Sequence, residues 1–217
     1  MILTHGHTYT RNGSVKYAVL FHRLGYNVYL YDLRHHGANK RCACSMGELE
    51  SKDVAAIVSY FRKAKGNDIT IGLQGESLGA ATSMLALKQC TVDFCVEDCG
   101  FANLRELLKY QLGHTAHLPV FFIYGCFFCV RIRYGFHWNT ENAIDAVRDS
   151  ICPMLFIHGT ADTYVLPKNA QQLFDCKKQG EKELFFFPGA AHAESCMSDR
   201  DRYFNILSDF LKKNNLV

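Results

Sequence analysis

Apolar runs and amphipathic stretches alternate along this chain. Met1-Ile2-Leu3-Thr4 reads as a short strand and His5-Gly6-His7-Thr8 as the loop after it. Val15 to Leu24 has apolar residues at 15, 18, 19 and 20 and predicts a helix, with Ser14 as its cap and Gly25 as its stop. Asn27 to Leu33 predicts a second strand. Ser45-Met46-Gly47-Glu48 has capping-box spacing, and the helix it opens puts Val54, Ile57, Val58 and Phe61 on one face. Ile69 to Leu73 predicts a third strand, Ala80 to Leu87 a helix, Val92 to Glu97 a fourth strand, and Phe101 to Leu112 another helix. From Gly113 to about Asn139 the pattern turns aromatic and irregular. Glu141 to Asp149 resumes as an amphipathic helix, followed by a strand at Pro153 to Ile157 and a helix from Pro167 to Lys178. A strand at Glu183 to Phe187 and a helix from near Ser198 close the chain. Strands that read as continuous apolar runs and alternate with helices predict a parallel sheet covered on both faces, an α/β fold.

The composition adds limits. With 217 residues the chain predicts a single domain, 1–217, with residues 113–139 as an insertion within it. A hydrophobic share of 48% and a charged share of 21% fit a soluble globular protein. A net charge of +3 without a basic stripe gives nucleic-acid binding no support. The longest apolar stretch, Leu118 to Val130, falls short of the roughly 20 residues that span a bilayer. Ten cysteines, several in expected core elements (Cys90, Cys95, Cys99, Cys152), read as reduced thiols and a cytoplasmic location. Cys42-x-Cys44 and Cys126-x-x-Cys129 have no second pair at zinc-finger spacing, and His5, His7, His35 and His36 have no supporting carboxylate pair. No metal and no cofactor is expected.

The chemistry centres on Gly75-Glu76-Ser77-Leu78-Gly79, a G-x-S-x-G between an expected strand and helix. In that context the serine sits on a strained turn with its hydroxyl exposed, and glycines two residues either side let the backbones approach. The turn also puts Ser77 at a helix N-terminus, where free N–H groups favour a developing oxyanion. Other polar residues punctuate the ends of the expected strands: His5-Gly6, Asp32, Asp98, Asp162 and His192. In open parallel sheets that is where active sites lie.

Ser77, Asp162 and His192, in that order and each after a strand, resemble the α/β-hydrolase superfamily. His5-Gly6 looks like its oxyanion loop. Asp32-Leu33-Arg34-His35-His36-Gly37 is similar to the Asp-x-Arg-Gly-His-Gly turn of its serine-aminopeptidase and monoacylglycerol-lipase-like branch, with His35 where glycine is usual. His158-Gly159-Thr160-Ala161-Asp162 matches the acid-bearing segment, and Gly189-Ala190-Ala191-His192 the histidine segment. One such motif is weak; five in order over nearly the whole chain are strong.

The resemblance implies Ser77 as nucleophile, His192 as base and Asp162 as the acid that holds it, with Asp98 as the rival acid. It implies an oxyanion hole made of the backbone N–H groups of Leu78 and His7. Asp32 is expected to organise its own turn with Arg34, and His5 to position its loop. The implied activity is cleavage of carboxylic esters, with peptide or amide cleavage, or ligand binding without turnover, as alternatives. Segment 113–139 falls where the superfamily inserts its cap, which suits small acyl or aromatic esters as substrates. Arg131 and Arg133 there are expected to be solvated, with contact to an anionic membrane as the lesser reading. The superfamily normally has two strands before the His-Gly strand, whereas Met1 opens that strand here. The expected fold is therefore a three-layer α/β/α sandwich lacking the first two strands. Its second strand would be an exposed edge that, like the cap, invites a homodimer.

Overall fold

The structure is a computed structural model that describes residues 1–135 and 142–217. Six strands form one parallel sheet in the order β2-β1-β3-β4-β5-β6. They are β1 (Ile2–Thr4), β2 (Tyr29–Leu30), β3 (Gly72–Glu76), β4 (Phe94–Asp98), β5 (Met154–Gly159) and β6 (Lys182–Phe187). The helices that bear on the site are α1 (Val15–Arg23), α2 (Glu48–Lys65), α3 (Leu78–Ala86), α4 (Leu104–Tyr110), α5 (Phe122–Tyr134), α6 (Ala143–Asp149), α7 (Lys168–Cys176), α8 (Ser195–Ser198) and α9 (Arg200–Lys213).

Alternation along the strands sorts the core into two layers. Phe94, Val96, Leu155 and Ile157 meet Tyr17, Leu20 and Phe21 of α1 and Tyr203, Leu207, Phe210 and Leu211 of α9. Their sequence neighbours Cys95, Met154 and Phe156 face the other way, onto Val54 and Val58 of α2, Ala80 and Met84 of α3, Val147 of α6 and Leu173 of α7. The three-layer sandwich expected from the sequence is thus present, with every paired strand parallel.

Several local expectations need correction. Strand β2 pairs with β1 only at Ile2↔Tyr29 and Leu3↔Leu30, so it is two residues long rather than seven. Beyond it the chain turns away, and the Leu33 N–H donates to His5 Nε2 at 2.9 Å instead of to a strand. It does form an edge of the sheet. Strand β3 lies three residues later than the apolar run, because Gly72 to Glu76 pair with Phe94 to Asp98 and carry the strand straight into Ser77. Ser14 precedes α1 but makes no side-chain cap; a 3-10 turn, Arg11–Ser14, leads in instead. Helix α2 starts after Gly47, and Glu50, not Glu48, reaches back, accepting from the Gly47 N–H at 2.8 Å and the Ser45 N–H at 3.0 Å. Asp32 holds the backbone N–H groups of Arg11 (2.7 Å) and Ala38 (3.1 Å), while Arg34 pairs with Asp53 at 2.6 and 2.8 Å.

Among its described residues the aromatic segment is mostly helical. A π-helical turn, Gln111–Thr115, extends α4, and α5 follows. Phe-Ile-Tyr-Gly-Cys-Phe-Phe-Cys-Val is apolar all round, so it gives no 3.6-residue periodicity to read. Ile123 is buried, whereas Phe122, Tyr124, Phe128 and Ile132 are exposed. The aromatic residues Phe136 and Trp138, and the start of the expected helix at Glu141, lie outside the described residues.

Candidate active site

The turn at Ser77 is built by close backbone approach. A Cβ on Gly75 would lie 2.1 Å from the Gly79 carbonyl oxygen, and one on Gly79 would lie 2.1 Å from that of Thr4. Only glycine fits either place. Between them Ser77 takes φ 55°, ψ −115°, a conformation costly for a residue with a Cβ. Its N–H donates to the Asp98 carbonyl at 2.9 Å, tying the turn to the end of β4.

Three side chains from separate loops converge there. His192 Nε2 lies 2.9 Å from Ser77 Oγ, and His192 Nδ1 lies 2.7 Å from Asp162 Oδ2. The carboxylate accepts at Nδ1, so that nitrogen carries the proton and Nε2 is left as an acceptor for the serine hydroxyl. Asp162 is buried, and burial alone would push its pKa up. Hydrogen bonds from His158 and His192, with that of the Val165 N–H, outweigh burial and bring it down to about 2. Its other oxygen accepts from the N–H groups of Tyr164 and Val165, both at 2.9 Å. The rival Asp98 does not hold His192. It meets the Tyr17 hydroxyl at 2.9 Å instead.

The His5-Gly6-His7 loop lies against the turn, since a Cβ on Gly6 would be 3.6 Å from Ser77 Cβ. His5 is a strut. Its Nε2 accepts from Leu33, so its Nδ1 carries the proton and donates to the Gly6 carbonyl at 2.7 Å. Burial, foremost, lowers its pKa and keeps it neutral. Leu78 opens α3, so its N–H belongs to the first turn, where helix N–H groups have no partner within the helix.

A second tier of residues escaped the sequence reading. His158, fully buried, approaches Asp162 Oδ2 at 3.1 Å and the Val165 carbonyl at 2.7 Å. Lys16 donates to the Ala193 carbonyl at 2.7 Å, beside His192, and pairs with Glu76, beside Ser77. Tyr17 lies between two buried carboxyls, 2.7 Å from Glu76 and 2.9 Å from Asp98. Burial, first, pushes Asp98 up to about 6, and the Tyr17 hydrogen bond pulls in the opposite direction without overcoming it. His158 was readable as part of its motif; Lys16 and Tyr17 sit on an ordinary helix face and carried no signal.

The segment leading to α5 touches the acid loop. Tyr110 Oη donates to the Thr163 carbonyl at 3.0 Å, and Gln111 Nε2 to that of Tyr164 at 2.6 Å. The Tyr164 ring packs on His192 with centroids 4.9 Å apart. A groove of about 800 Å³ lined by Met1, Tyr26, Tyr29, Phe61 and Leu216 runs along the β2 edge and includes none of the three converging residues.

A sheet of this order with a serine, a histidine and an aspartate meeting at its carboxyl end defines a class, and comparison with known proteins agrees. The chain belongs to the α/β-hydrolase superfamily. It shares a family with the Bacillus subtilis uncharacterized protein YqkD, to which it is 32% identical over 99% of its length and 72% of that protein's. It is 23% identical to Schizosaccharomyces pombe protein bem46, covering 91% of this chain and 62% of that one. It is 25% identical to the Danio rerio lysophosphatidylserine lipase ABHD12, covering 98% and 58%. The chain therefore spans only part of these relatives. Among solved structures it is similar to the Pyrococcus furiosus esterase Pf2001, with a TM-score of 0.79, 22% identity and coverage of 98% and 81%. It is also similar to Est1E of Butyrivibrio proteoclasticus, solved with ferulic acid, with a TM-score of 0.75, 18% identity and coverage of 100% and 89%. No protein-family model matches the chain. Among the described residues no helix is long and apolar enough to cross a membrane, while one Saccharomyces cerevisiae relative, YNL320W, 24% identical over 94% of this chain and 69% of its own length, is described as an uncharacterized membrane protein.

Proposed function

We propose that the chain is a serine hydrolase that cleaves carboxylic esters through an acyl-enzyme. The observation that carries this reading is the line from Ser77 Oγ to His192 Nε2 (2.9 Å) and from His192 Nδ1 to Asp162 (2.7 Å). Ser77 Oγ attacks the ester carbonyl while Nε2 takes its proton. Asp162, ionised, keeps the Nδ1 proton in place and stabilises the imidazolium. The backbone N–H groups of Leu78 and His7 hold the oxyanion, each supporting about 10²–10³ in rate. The imidazolium then protonates the departing alcohol. Water attacks the acyl-enzyme by the same route, and Ser77 regains its proton.

Residues 113–139 act as a cap, and its exposed aromatic side chains supply apolar surface for an acyl or aromatic group. Esterase and lipase neighbours support the ester over the amide as substrate. The test is labelling with a fluorophosphonate probe, with Ser77→Ala and His192→Ala as controls. Labelling that requires both residues, followed by turnover of nitrophenyl esters, is expected. A folded protein that stays unlabelled overturns the reading in favour of a binding protein, and turnover of amides alone would move it to a peptidase.

A further inference from the structure

Cys99 brings a thiol to the two residues that hold the proton relay. It is the first residue after β4, is 1% exposed, and its N–H donates to the Ile157 carbonyl at 2.9 Å. One ligand atom from each of Cys99, Asp162 and His192 lies within 4.8 Å of the other two. A thiolate sulfur, an imidazole nitrogen and a carboxylate oxygen are the donor types of a zinc site, and three protein ligands leave a fourth position open. With bonds of about 2.3 Å to sulfur and about 2.1 Å to nitrogen, tetrahedral ligand atoms stand roughly 3.5 Å apart, so the three need move by only about 1 Å.

Further buried carboxyls lie close to this group. Glu76, Glu97, Asp98 and Asp162 are all buried around the ends of β3, β4 and β5. Lys16 pairs with Glu76, but Glu97 Oε1 and Asp98 Oδ1 have no hydrogen-bond partner among the described residues. His192 is the accessible member, since 23% of its side chain reaches solvent and gives an ion its approach.

We propose that Cys99, Asp162 and His192 form a binding site for a soft divalent cation of the zinc class, and that its occupancy switches off the base. The cation displaces the Cys99 thiol proton, which leaves to solvent, so binding strengthens as pH rises. A metal on Nδ1 forces the ring proton to Nε2, and a metal on Nε2 occupies the lone pair itself. Neither form can accept the Ser77 proton. The inhibition rests on the serine-hydrolase reading; the binding does not.

The experiment uses the full chain with Cys42, Cys44, Cys90, Cys126, Cys129 and Cys176 replaced by serine, which removes every exposed or half-buried thiol. Cadmium is titrated while the ultraviolet thiolate-to-metal charge-transfer absorption is followed, with zinc as competitor. One equivalent should saturate the band. Adding Cys99→Ser or Cys99→Gly (glycine suits the φ of +50° at this position) should abolish it, His192→Ala should weaken binding, and Ser77→Ala should leave it. Zinc should also block fluorophosphonate labelling, and each Cys99 variant, referenced to its own metal-free labelling, should need at least tenfold more zinc. A band that survives both Cys99 substitutions, or no band in a folded protein, overturns the site. If the parent is never labelled even without metal, the hydrolase reading fails while the cadmium titration still decides the site.

Discussion

His158 and His192 converge on one oxygen, Oδ2 of Asp162, at 3.1 and 2.7 Å. The imidazole of His192 faces the serine, whereas that of His158 is sealed in the core. With two N–H groups on its other oxygen, Asp162 accepts three hydrogen bonds, and His158 Nε2, bonded more closely to the Val165 carbonyl at 2.7 Å, walls it in on the core side.

On the proposed hydrolase mechanism, His158 is a positioning residue. His158→Phe should keep the fold but lower kcat on esters by about 10-fold or more, with KM little changed, because orientation of the base rather than substrate binding is lost. His158→Gln, which restores a donor, should recover part of the loss. Steady-state kinetics of the two variants checks this, and equal losses in both would argue for a packing role alone.

The buried acids set a pH dependence of stability. Asp98, raised in the folded state to about 6, binds its proton more tightly there than when unfolded, so its contribution is full below about pH 4 and is lost as pH rises through 6. Glu97, raised to about 7 foremost by burial, acts in the same direction. Asp162, lowered to about 2, contributes above about pH 4 and loses that contribution as pH falls toward 2. Melting temperature should thus fall between pH 5 and 7. Asp98→Asn should flatten that slope, by up to about 3 kcal/mol for a shift of this size. Thermal melts at several pH values measure it.

The glycines that flank Ser77 tolerate no side chain. Gly75→Ala and Gly79→Ala each drive a Cβ into backbone at 2.1 Å, with no flexible side chain to yield. Each should cost about 3 kcal/mol or more, or displace Ser77 so that probe labelling disappears. Gly125→Ala, mid-helix in α5 with nothing within 4 Å, is the control: it should leave labelling unchanged and stabilise by up to about 1 kcal/mol rather than destabilise.

Phe128 tests the cap. Its side chain is 64% exposed on α5, so Phe128→Glu should leave the melting temperature within about 1 °C while raising KM for long-chain esters more than for acetate esters. Unchanged KM across chain lengths would remove α5 from substrate binding.

The sequence by itself determined the layer architecture, because period 2 and period 3.6 are written in local order, and it determined the elbow, because Gly-x-Ser-x-Gly records a close approach that only glycine allows. It also marked Asp162 and His192, since the loops after successive parallel strands must meet at one end of the sheet. What it left open, tertiary structure decided. Asp98 ends β4 and Asp162 follows β5, and only the tertiary path made Asp162 the partner of His192. Helix α5 was hidden because its apolar residues surround the axis. Arg34 and Asp53, His158 and Asp162, Lys16 and Ala193 are pairings between side chains and loops that share no local period. Cys99 stands beside Asp162 and His192 for the same reason: a neighbour in space, 63 and 93 residues from its two partners in the chain, leaves no pattern along it.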